Sequence, residues 1–286
     1  MILLDGKALS EKIKEEVKVE VAQLVEEKQI TPGLAVILVG NDAASATYVA
    51  SKAKACKNAG IYSVVHEMPE SITQEELLET IERMNENPKL DGILVQLPLP
   101  KHIDTTIVLE AINPLKDVDG FHPYNVGRMV SNLDAFLPAT PFGVMRMFEE
   151  YGIELSGKNV VVIGSSDIVG KPMASLLINA KATVTVCNSR TKDLKSHTLK
   201  ADIVVIAVGV PYLLKEDMVK DGAVVIDVGI NRLDTGKLVG DADFEGLKNK
   251  CSHITPVPGG VGPMTIAMLL KNTIKAAKLR EKREAK

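Results

Sequence analysis

Residues 91–100 read Asp-Gly-Ile-Leu-Val-Gln-Leu-Pro-Leu-Pro, and this stretch decides the architecture of the first half of the chain. The apolar run before Gln96 is typical of a short strand buried in a parallel sheet. Pro98 and Pro100 oppose a regular helix or a paired strand, so the chain should leave the sheet as a loop. Gln96 is therefore expected at the carboxyl end of a strand, where open α/β sheets bind ligands. The alternative is that its amide only caps a loop carbonyl.

Strand and helix patterns alternate on both sides of this stretch, and the alternation defines the fold class. It is interrupted at residues 113–140, which are rich in Asn, Pro, Asp and Gly, and then it starts again. Repeated strand–helix–strand units imply parallel sheets with right-handed crossovers. The predicted strands are 34–39, 61–66, 90–95, 159–163, 183–187, 203–208 and 223–228, and the predicted helices are 8–28, 44–59, 73–87, one from Pro172 and a long final one from Pro263.

We therefore predict an α/β protein of two domains. Residues 1–120 plus 264–286 should form a three-layer α/β domain for substrate and catalysis. Residues 140–262 should form a Rossmann-like dinucleotide-binding domain. The C-terminal helix should pack back on the first domain. A chain of 286 residues is long enough for two such cores.

Composition excludes several classes of protein. The formal net charge is −3, Trp is absent and aromatic residues make up only 3% of the chain, which opposes nucleic-acid binding. The three Cys and five His are scattered, so the sequence predicts neither a disulfide framework nor a metal site. Its apolar runs are too short for a membrane span. We expect a soluble, cytoplasmic protein.

A glycine turn at residues 164–170 follows a predicted strand and precedes a helix, an arrangement that can cradle a phosphate. Its spacing, Gly-x-x-x-x-x-Gly, is not the dinucleotide fingerprint, so a plain tight turn is the alternative. The next strand ends without a carboxylate and is followed by Ser189, Arg190 and Lys192. Hydroxyls and cations favour a 2′-phosphate, so we predict NADP rather than NAD. A solvated loop is the competing interpretation.

The predicted helix at 44–59 carries Tyr48 and Lys52 beside an apolar stripe, with Lys54 pointing away. Lys52 should thus lie at the margin of a core, where desolvation favours the neutral amine and allows it to act as a general base. A lysine that snorkels past a half-buried tyrosine is the alternative. Asp119 lies in the interrupted segment, and an Asx turn is its alternative interpretation.

Six segments in this order resemble one family across nearly the whole chain, the bifunctional methylenetetrahydrofolate dehydrogenase/methenyltetrahydrofolate cyclohydrolase (FolD) family. The matching segments are Val-Gly-Asn-Asp-x-x-Ser-x-x-Tyr-Val-x-x-Lys at 39–52, Gly-Ile-Leu-Val-Gln-Leu-Pro-Leu-Pro at 92–100, Lys-Asp-Val-Asp-Gly-Phe at 116–121, the glycine turn through Met173, Asp-Val-Gly-Ile-Asn at 227–231, and residues 256–265.

This resemblance implies two reactions. The family oxidises 5,10-methylenetetrahydrofolate to 5,10-methenyltetrahydrofolate with NADP, and then hydrolyses the product to 10-formyltetrahydrofolate. It implies tetrahydrofolate derivatives as ligands, a homodimer, and a place in one-carbon metabolism that supplies purine and amino-acid biosynthesis. A monofunctional dehydrogenase and a non-catalytic dinucleotide-binding protein on the same fold are the alternatives. The presence of Tyr48, Lys52 and Gln96 argues against the first of these.

The resemblance also implies residue roles. Lys52 would be the key residue of hydrolysis, held by Gln96 and assisted by Tyr48. The implied folate contacts are Tyr48, Asp119, Gly259, Gly260 and Pro263, and the implied cofactor contacts are Gly164, Ser165, Ser166, Ile168, Ser189, Arg190 and Ile230. Many members carry Arg where this chain has Ser165, so NAD is open as a second cofactor, with Arg190 as the compensating cation.

Overall fold

The computed structural model describes residues 1–284, with side chains through residue 282. The chain divides into two compact units. The six-stranded unit contains residues 1–10, 129–133 and 138–265, and the three-stranded unit contains residues 11–128, 134–137 and 266–284.

The elements alternate along the chain as the sequence predicts. The strands are β1 (Ile2–Leu3), β2 (Gly33–Val39), β3 (Tyr62–Met68), β4 (Gly92–Val95), β5 (Asn159–Ile163), β6 (Thr183–Cys187), β7 (Ile203–Ile206), β8 (Val224–Asp227), β9 (Asn231–Arg232), β10 (Leu238–Val239) and β11 (His253–Ile254). The helices are α1 (Gly6–Lys28), α2 (Ala43–Ala59), α3 (Gln74–Glu86), α4 (Thr105–Ala111), α5 (Pro123–Val130), α6 (Ala139–Glu150), α7 (Gly170–Asn179), α8 (Leu194–Thr198), α9 (Phe244–Leu247) and α10 (Val261–Glu284), with one 3₁₀ turn at Glu216–Met218.

A parallel sheet in the order β3-β2-β4 organises the three-stranded unit. Every residue of the central strand β2 is buried, which explains its continuous apolar sequence. One face of the sheet packs on α3 and α4 through Leu77, Ile81 and Val108. The carboxyl ends of β2 and β4 therefore lie side by side, with the Gln96 N–H donating to the Ile37 carbonyl at 2.9 Å.

The C-terminal helix α10 packs on this unit from residue 266 onward. Lys271 and Lys278 both form ion pairs with Glu20 of α1, and the Arg280 guanidinium pairs with the fully buried carboxylate of Asp91. Asn272 is buried and donates to two loop carbonyls. The prediction that the C-terminal helix packs on the first domain is confirmed.

A larger parallel sheet, in the order β1-β11-β8-β7-β5-β6, organises the six-stranded unit. Because chain order reverses between β5 and β7, the sheet has a topological switch point at the carboxyl ends of these two strands. A separate antiparallel hairpin pairs β9 with β10. The prediction of a two-domain α/β protein with a Rossmann-like domain is confirmed.

The N-terminal residues differ from the predicted domain division. Strand β1 pairs in parallel with β11, so residues 1–10 belong to the six-stranded unit rather than to the domain predicted for residues 1–120. Close backbone packing reinforces this placement, because a Cβ at Gly6 would lie 1.9 Å from the Gly260 carbonyl oxygen. The last two residues of the predicted range 264–286 lie outside the described residues.

Candidate active site and dinucleotide-binding site

Helix α2 carries two of the predicted catalytic side chains. Its N-cap is Asp42, whose carboxylate accepts from the Ser45 N–H at 2.7 Å, and it ends at Gly60 in the left-handed conformation. Lys52 lies on the buried face and is only 7% exposed, whereas Tyr48, one turn earlier, is 41% exposed. Lys54 is exposed.

A direct hydrogen bond joins Lys52 to Gln96. The Lys52 Nζ donates to Gln96 Oε1 at 3.0 Å, and Gln96 Nε2 donates to the Leu97 carbonyl at 2.7 Å. The second bond fixes the amide so that its oxygen faces the lysine. Gln96 therefore caps a loop carbonyl, which was the alternative interpretation of its sequence, and it also contacts the Lys52 amine, as the resemblance implies.

Burial governs the protonation of this amine. It lowers the pKa of Lys52, and the carboxylate of Asp119 opposes that shift. Burial also raises the pKa of Asp119 to about 6, partly offset by the charge of Lys52, while the neighbouring Asp117 raises it further. The Lys52 amine and the Asp119 carboxylate therefore shift each other's pKa within one partly desolvated region.

The loop that carries Asp119 is held by other residues. The buried Asp117 accepts from the N–H groups of Gly120, Phe121 and His122 at 3.1, 3.3 and 2.9 Å. The Asn272 amide of α10 donates to the Val118 carbonyl at 2.8 Å. The Asx-type turn thus belongs to Asp117, and among the side chains described through residue 282 no hydrogen bond uses the Asp119 carboxylate.

The predicted phosphate cradle lies at the switch point of the larger sheet. Gly164 follows β5 with φ of +124°, and a Cβ there would lie 2.4 Å from the Ala207 carbonyl oxygen after β7. Helix α7 begins at Gly170, two residues before the predicted Pro172.

The loop before α7 is held by a serine. Ser166 Oγ accepts from the Val169 and Gly170 N–H groups at 3.2 and 3.3 Å. Ser165 and Ile168 lie in the same loop, and Ile168 is 40% exposed. A glycine turn that leads into a helix N-terminus fits a dinucleotide phosphate.

A tight turn follows β6, where a ribose and its substituent bind in Rossmann-like sheets. Asn188 Oδ1 accepts from the Arg190 N–H at 2.9 Å, and Thr191 Oγ1 accepts from the Asn188 N–H at 2.8 Å. This turn holds Ser189 and Arg190 exposed to solvent. Within the described residues the Arg190 guanidinium has no hydrogen bond or ion pair, so its charge is available to an anionic ligand.

The remaining predicted residues follow β8 and β11. Ile230, 42% exposed, comes directly before β9, and a Cβ at Gly262 would lie 3.2 Å from its Cδ1 atom. Gly259 has φ of +103°, and its carbonyl accepts from the Lys7 N–H at 2.8 Å. Gly260 is tightly packed against Pro256, and Pro263 occupies the first turn of α10.

The predicted residues thus fall into two groups. Tyr48, Lys52, Gln96 and Asp119 belong to the three-stranded unit, and all other predicted site residues belong to the six-stranded unit. Sequence reasoning missed four buried polar side chains that make several hydrogen bonds each, which are Asp117, Asn272, Asp227 and Asp241. Asp117 and Asp227 lie inside matched motifs, but nothing in the spacing of Asn272 or Asp241 marks them.

Among the side chains described, those of residues 1–282, no group of three or more His, Cys, Asp or Glu is arranged to hold a metal ion. Among the helices that the structure describes, none has both the length and the apolar character that a membrane crossing requires.

Comparison with known proteins agrees with this geometry. Residues 4–119 match the catalytic domain of tetrahydrofolate dehydrogenase/cyclohydrolase, and residues 138–281 match its NAD(P)-binding domain. The chain is 91% identical over 284 residues to the bifunctional protein FolD of Aliarcobacter butzleri, covering 99% of both chains.

Solved structures agree as well. The bifunctional FolD enzyme of Campylobacter jejuni has a TM-score of 0.96 at 58% identity, with 98% of this chain and 99% of that chain covered. The Trypanosoma brucei dehydrogenase-cyclohydrolase, solved with NADP and an inhibitor, has a TM-score of 0.94 at 41% identity and covers 98% of each chain.

The fold and the site define an enzyme with a separate catalytic domain and a dinucleotide-binding domain. Both domains are matched over nearly their whole length, and the relatives share the full chain. The chain belongs to the tetrahydrofolate dehydrogenase/cyclohydrolase family.

Proposed function

We propose that the protein oxidises 5,10-methylenetetrahydrofolate with NADP and then hydrolyses the resulting methenyl cation to 10-formyltetrahydrofolate. Its family and its 91% identical bifunctional relative support both activities. The observation that carries the hydrolytic step is the hydrogen bond between the buried Lys52 amine and Gln96. A monofunctional dehydrogenase would not require this pair, and a protein that only binds a dinucleotide would not require the catalytic domain.

The oxidation requires little acid–base chemistry from the protein residues. The carbon that loses hydride is bonded to two nitrogens, and their lone pairs stabilise the cation that forms. When bound, NADP accepts the hydride and becomes NADPH. The task of the protein residues is to bind and orient the two rings, and correct apposition is the main source of acceleration.

Hydrolysis needs a proton acceptor. Water adds to the methenyl carbon and loses one proton, which leaves a neutral hydroxyl adduct. The bond from that carbon to the ring nitrogen N5 then breaks as N5 gains a proton and the hydroxyl loses its own proton to become the formyl carbonyl on N10, so that one proton is released overall. Lys52, as the neutral amine, accepts the first proton and passes a proton toward N5. Its lowered pKa supports this role, and Gln96 keeps the amine oriented.

The folate itself is assigned to a short set of groups. Asp119 would accept two hydrogen bonds from the amino-pyrimidinone edge of the pterin, because its carboxylate has no competing protein donor among the described residues. The exposed Tyr48 would line the folate site and assist Lys52. Gly259, Gly260 and Pro263 would border it.

NADP is assigned to the cradle and the turn of the six-stranded unit. Gly164, Ser165, Ser166 and Ile168 would surround the phosphates at the start of α7, and Ile230 would meet the nicotinamide carboxamide by its backbone. Ser189 and the unpaired Arg190 would bind the 2′-phosphate. Because position 165 is Ser, we propose that NAD serves as a weaker second cofactor.

A paired assay on the purified protein tests this function. We expect NADPH formation from methylenetetrahydrofolate, and disappearance of added methenyltetrahydrofolate faster than in buffer alone. Oxidation without accelerated hydrolysis would identify a monofunctional dehydrogenase. NADP binding without either turnover would identify a non-catalytic protein.

Membership of this family also supports proposals about the oligomeric state, the location and the metabolic role of the protein. We propose a cytoplasmic homodimer that supplies one-carbon units for purine and amino-acid biosynthesis. Its mass in solution, measured by light scattering at assay concentration, should be twice that of the 30.8 kDa chain. A monomeric mass in an active preparation would contradict the homodimer.

A further inference from the structure

Two buried aspartates lie at the carboxyl edge of the six-stranded sheet and take no part in the roles assigned above. Asp227 is the last residue of β8, and Asp241 follows the β9–β10 hairpin. Their exposed fractions are 4% and 0%. A buried carboxylate is retained only where hydrogen-bond donors surround it, so the donors reveal what each group holds.

Asp241 gathers donors from two separate loops. Its Oδ2 accepts from the N–H groups of Val208 and Gly209, just after β7, at 2.7 and 3.0 Å. Its Oδ1 accepts from the Asn231 side-chain amide, after β8, at 2.8 Å. One carboxylate therefore ties together the chain segments that leave two adjacent strands.

Asp227 links the segment after β8 to the segment that contains Asp241. Its Oδ1 accepts from the N–H groups of Gly229 and Asp241 at 2.9 and 3.0 Å, and its Oδ2 accepts from the Ala242 N–H at 2.8 Å. The fit is close, because a Cβ at Gly229 would lie 2.2 Å from the Asp241 carboxyl carbon. We call the Asp227 and Asp241 carboxylates with their donors the carboxylate clasp.

All six donors in the clasp are N–H groups, and this determines which side chains can occupy the two positions. A carboxylate offers only acceptors, whereas an amide of the same shape would aim its NH₂ group at one of the donors. Asp→Asn therefore preserves volume but breaks part of the clasp. Burial is the main cause of a pKa of about 6 for Asp227, which leaves it largely ionised at neutral pH.

We propose that Asp227 and Asp241 are positioning residues for hydride transfer, holding the Ile230 peptide and the loop after β7 where the nicotinamide end of NADP binds. The proposal rests on the proposed function, which assigns Ile230 to the nicotinamide. Gly229 and Asn231, the residues on either side of Ile230, are each bonded to one of the two carboxylates. The clasp thus fixes the Ile230 peptide from both sides.

The direct test is Asp241→Asn in the full-length enzyme. We expect kcat/KM for NADP in the oxidation to fall about tenfold or more, because charge-assisted hydrogen bonds are lost. Hydrolysis of added methenyltetrahydrofolate should stay within about twofold of wild type, since Lys52 and Gln96 belong to the other unit. Asp243→Asn, two residues away at the N-cap of α9, is the matched control and should change neither activity.

A second measurement separates local positioning from a general loss of the domain. The affinity of Asp241→Asn for the adenosine bisphosphate half of NADP, which lacks nicotinamide, should equal that of wild type, while its affinity for NADP falls. Equal loss of both affinities, or equal loss of both activities, would overturn the proposal, as would an unchanged oxidation.

If Asp241→Asn does not fold, Asn231→Ala decides the question. It removes only the side-chain tie beside Ile230 and leaves both carboxylates in place. Oxidation should fall several-fold with hydrolysis unchanged, and an unaltered oxidation would overturn the proposal. Because the wild-type paired assay tests the enzyme's activities without any variant, a failure of the clasp is distinguishable from a failure of the proposed function.

Discussion

At the scale of single residues, the proposed hydrolysis depends on the Lys52 amine, which is buried but keeps part of the stabilisation of its charged form. Lys52 loses hydration by burial, and Asp119 returns part of the lost stabilisation of its charged form. The balance of these two effects sets the fraction of neutral amine at a given pH. The carboxylate that we assign to the pterin therefore also controls the base.

This coupling predicts a pH effect. In Asp119→Asn the charge that raises the pKa of Lys52 is gone, so that pKa should fall further below its ordinary value. At substrate saturation, the rising limb of hydrolysis against pH should therefore move to lower pH. Asp104→Asn, which removes an exposed carboxylate of the same unit but keeps an N-cap acceptor, should leave the limb in place. If the rising limb of the hydrolysis rate in Asp119→Asn stays in place or moves to higher pH, the coupling between Lys52 and Asp119 is contradicted.

Cofactor choice is a second effect at residue scale. Arg190→Ala should raise KM for NADP more than KM for NAD, because only NADP carries a 2′-phosphate for the unpaired guanidinium. Lys200→Ala removes an exposed cation of the same unit and should affect neither. Equal effects of Arg190→Ala on both cofactors would exclude Arg190 from cofactor choice.

Single residues were predictable where a short-range pattern places them. The helical stripe indicated burial of Lys52, and the strand followed by prolines indicated the position of Gln96. The contact between Lys52 and Gln96 could not be predicted from these patterns, because it joins residues that lie 44 positions apart in the chain. The clamp by Asn272 and the clasp by Asp241 were missed for the same reason: their partners are distant in sequence and meet only in the folded unit.

At the scale of elements, the placement of Lys52 depends on where α2 ends. Gly60 terminates the helix at φ of +78°, and the next residue, Ile61, is buried and bonds back to the Cys56 carbonyl at 2.9 Å. A left-handed conformation is costly for any residue with a Cβ atom. Glycine at this position therefore fixes the turn from α2 into β3.

This termination gives a stability prediction with opposite signs at two glycines. Gly60→Ala should lower the free energy of unfolding by about 1 kcal/mol, because alanine is strained at positive φ. Gly127→Ala, inside α5 with open space around the added methyl, should raise it by about 0.5 kcal/mol. Both are measured by urea denaturation, and a stabilising Gly60→Ala would contradict the assigned cap.

Most elements with a long or continuous signal were predictable, whereas the shortest ones and the 12-residue helix α6 were not. Strands such as β2 and β5 follow from apolar runs that are buried on both faces. The two-residue strands β1, β9, β10 and β11 have no period to detect, because pairing alone defines them. Helix α5 was missed because Asn and Gly in residues 123–130 resemble a loop.

At the scale of the whole molecule, the two units carry different parts of the chemistry. Lys52 and Gln96, which we propose handle protons, lie in one unit, and the glycine turn that we propose for the dinucleotide lies in the other. The two activities should therefore respond separately to substitution. Hydride transfer needs ring apposition, whereas hydrolysis needs the amine, so loss of the amine should separate them.

The measurement that tests this most directly is the paired assay on Lys52→Met. We expect hydrolysis of methenyltetrahydrofolate to fall about 100-fold or more, while oxidation of methylenetetrahydrofolate continues at a measurable rate. Lys54→Met, an exposed lysine of the same helix, should retain both activities. Hydrolysis by Lys52→Met at the wild-type rate would contradict the account.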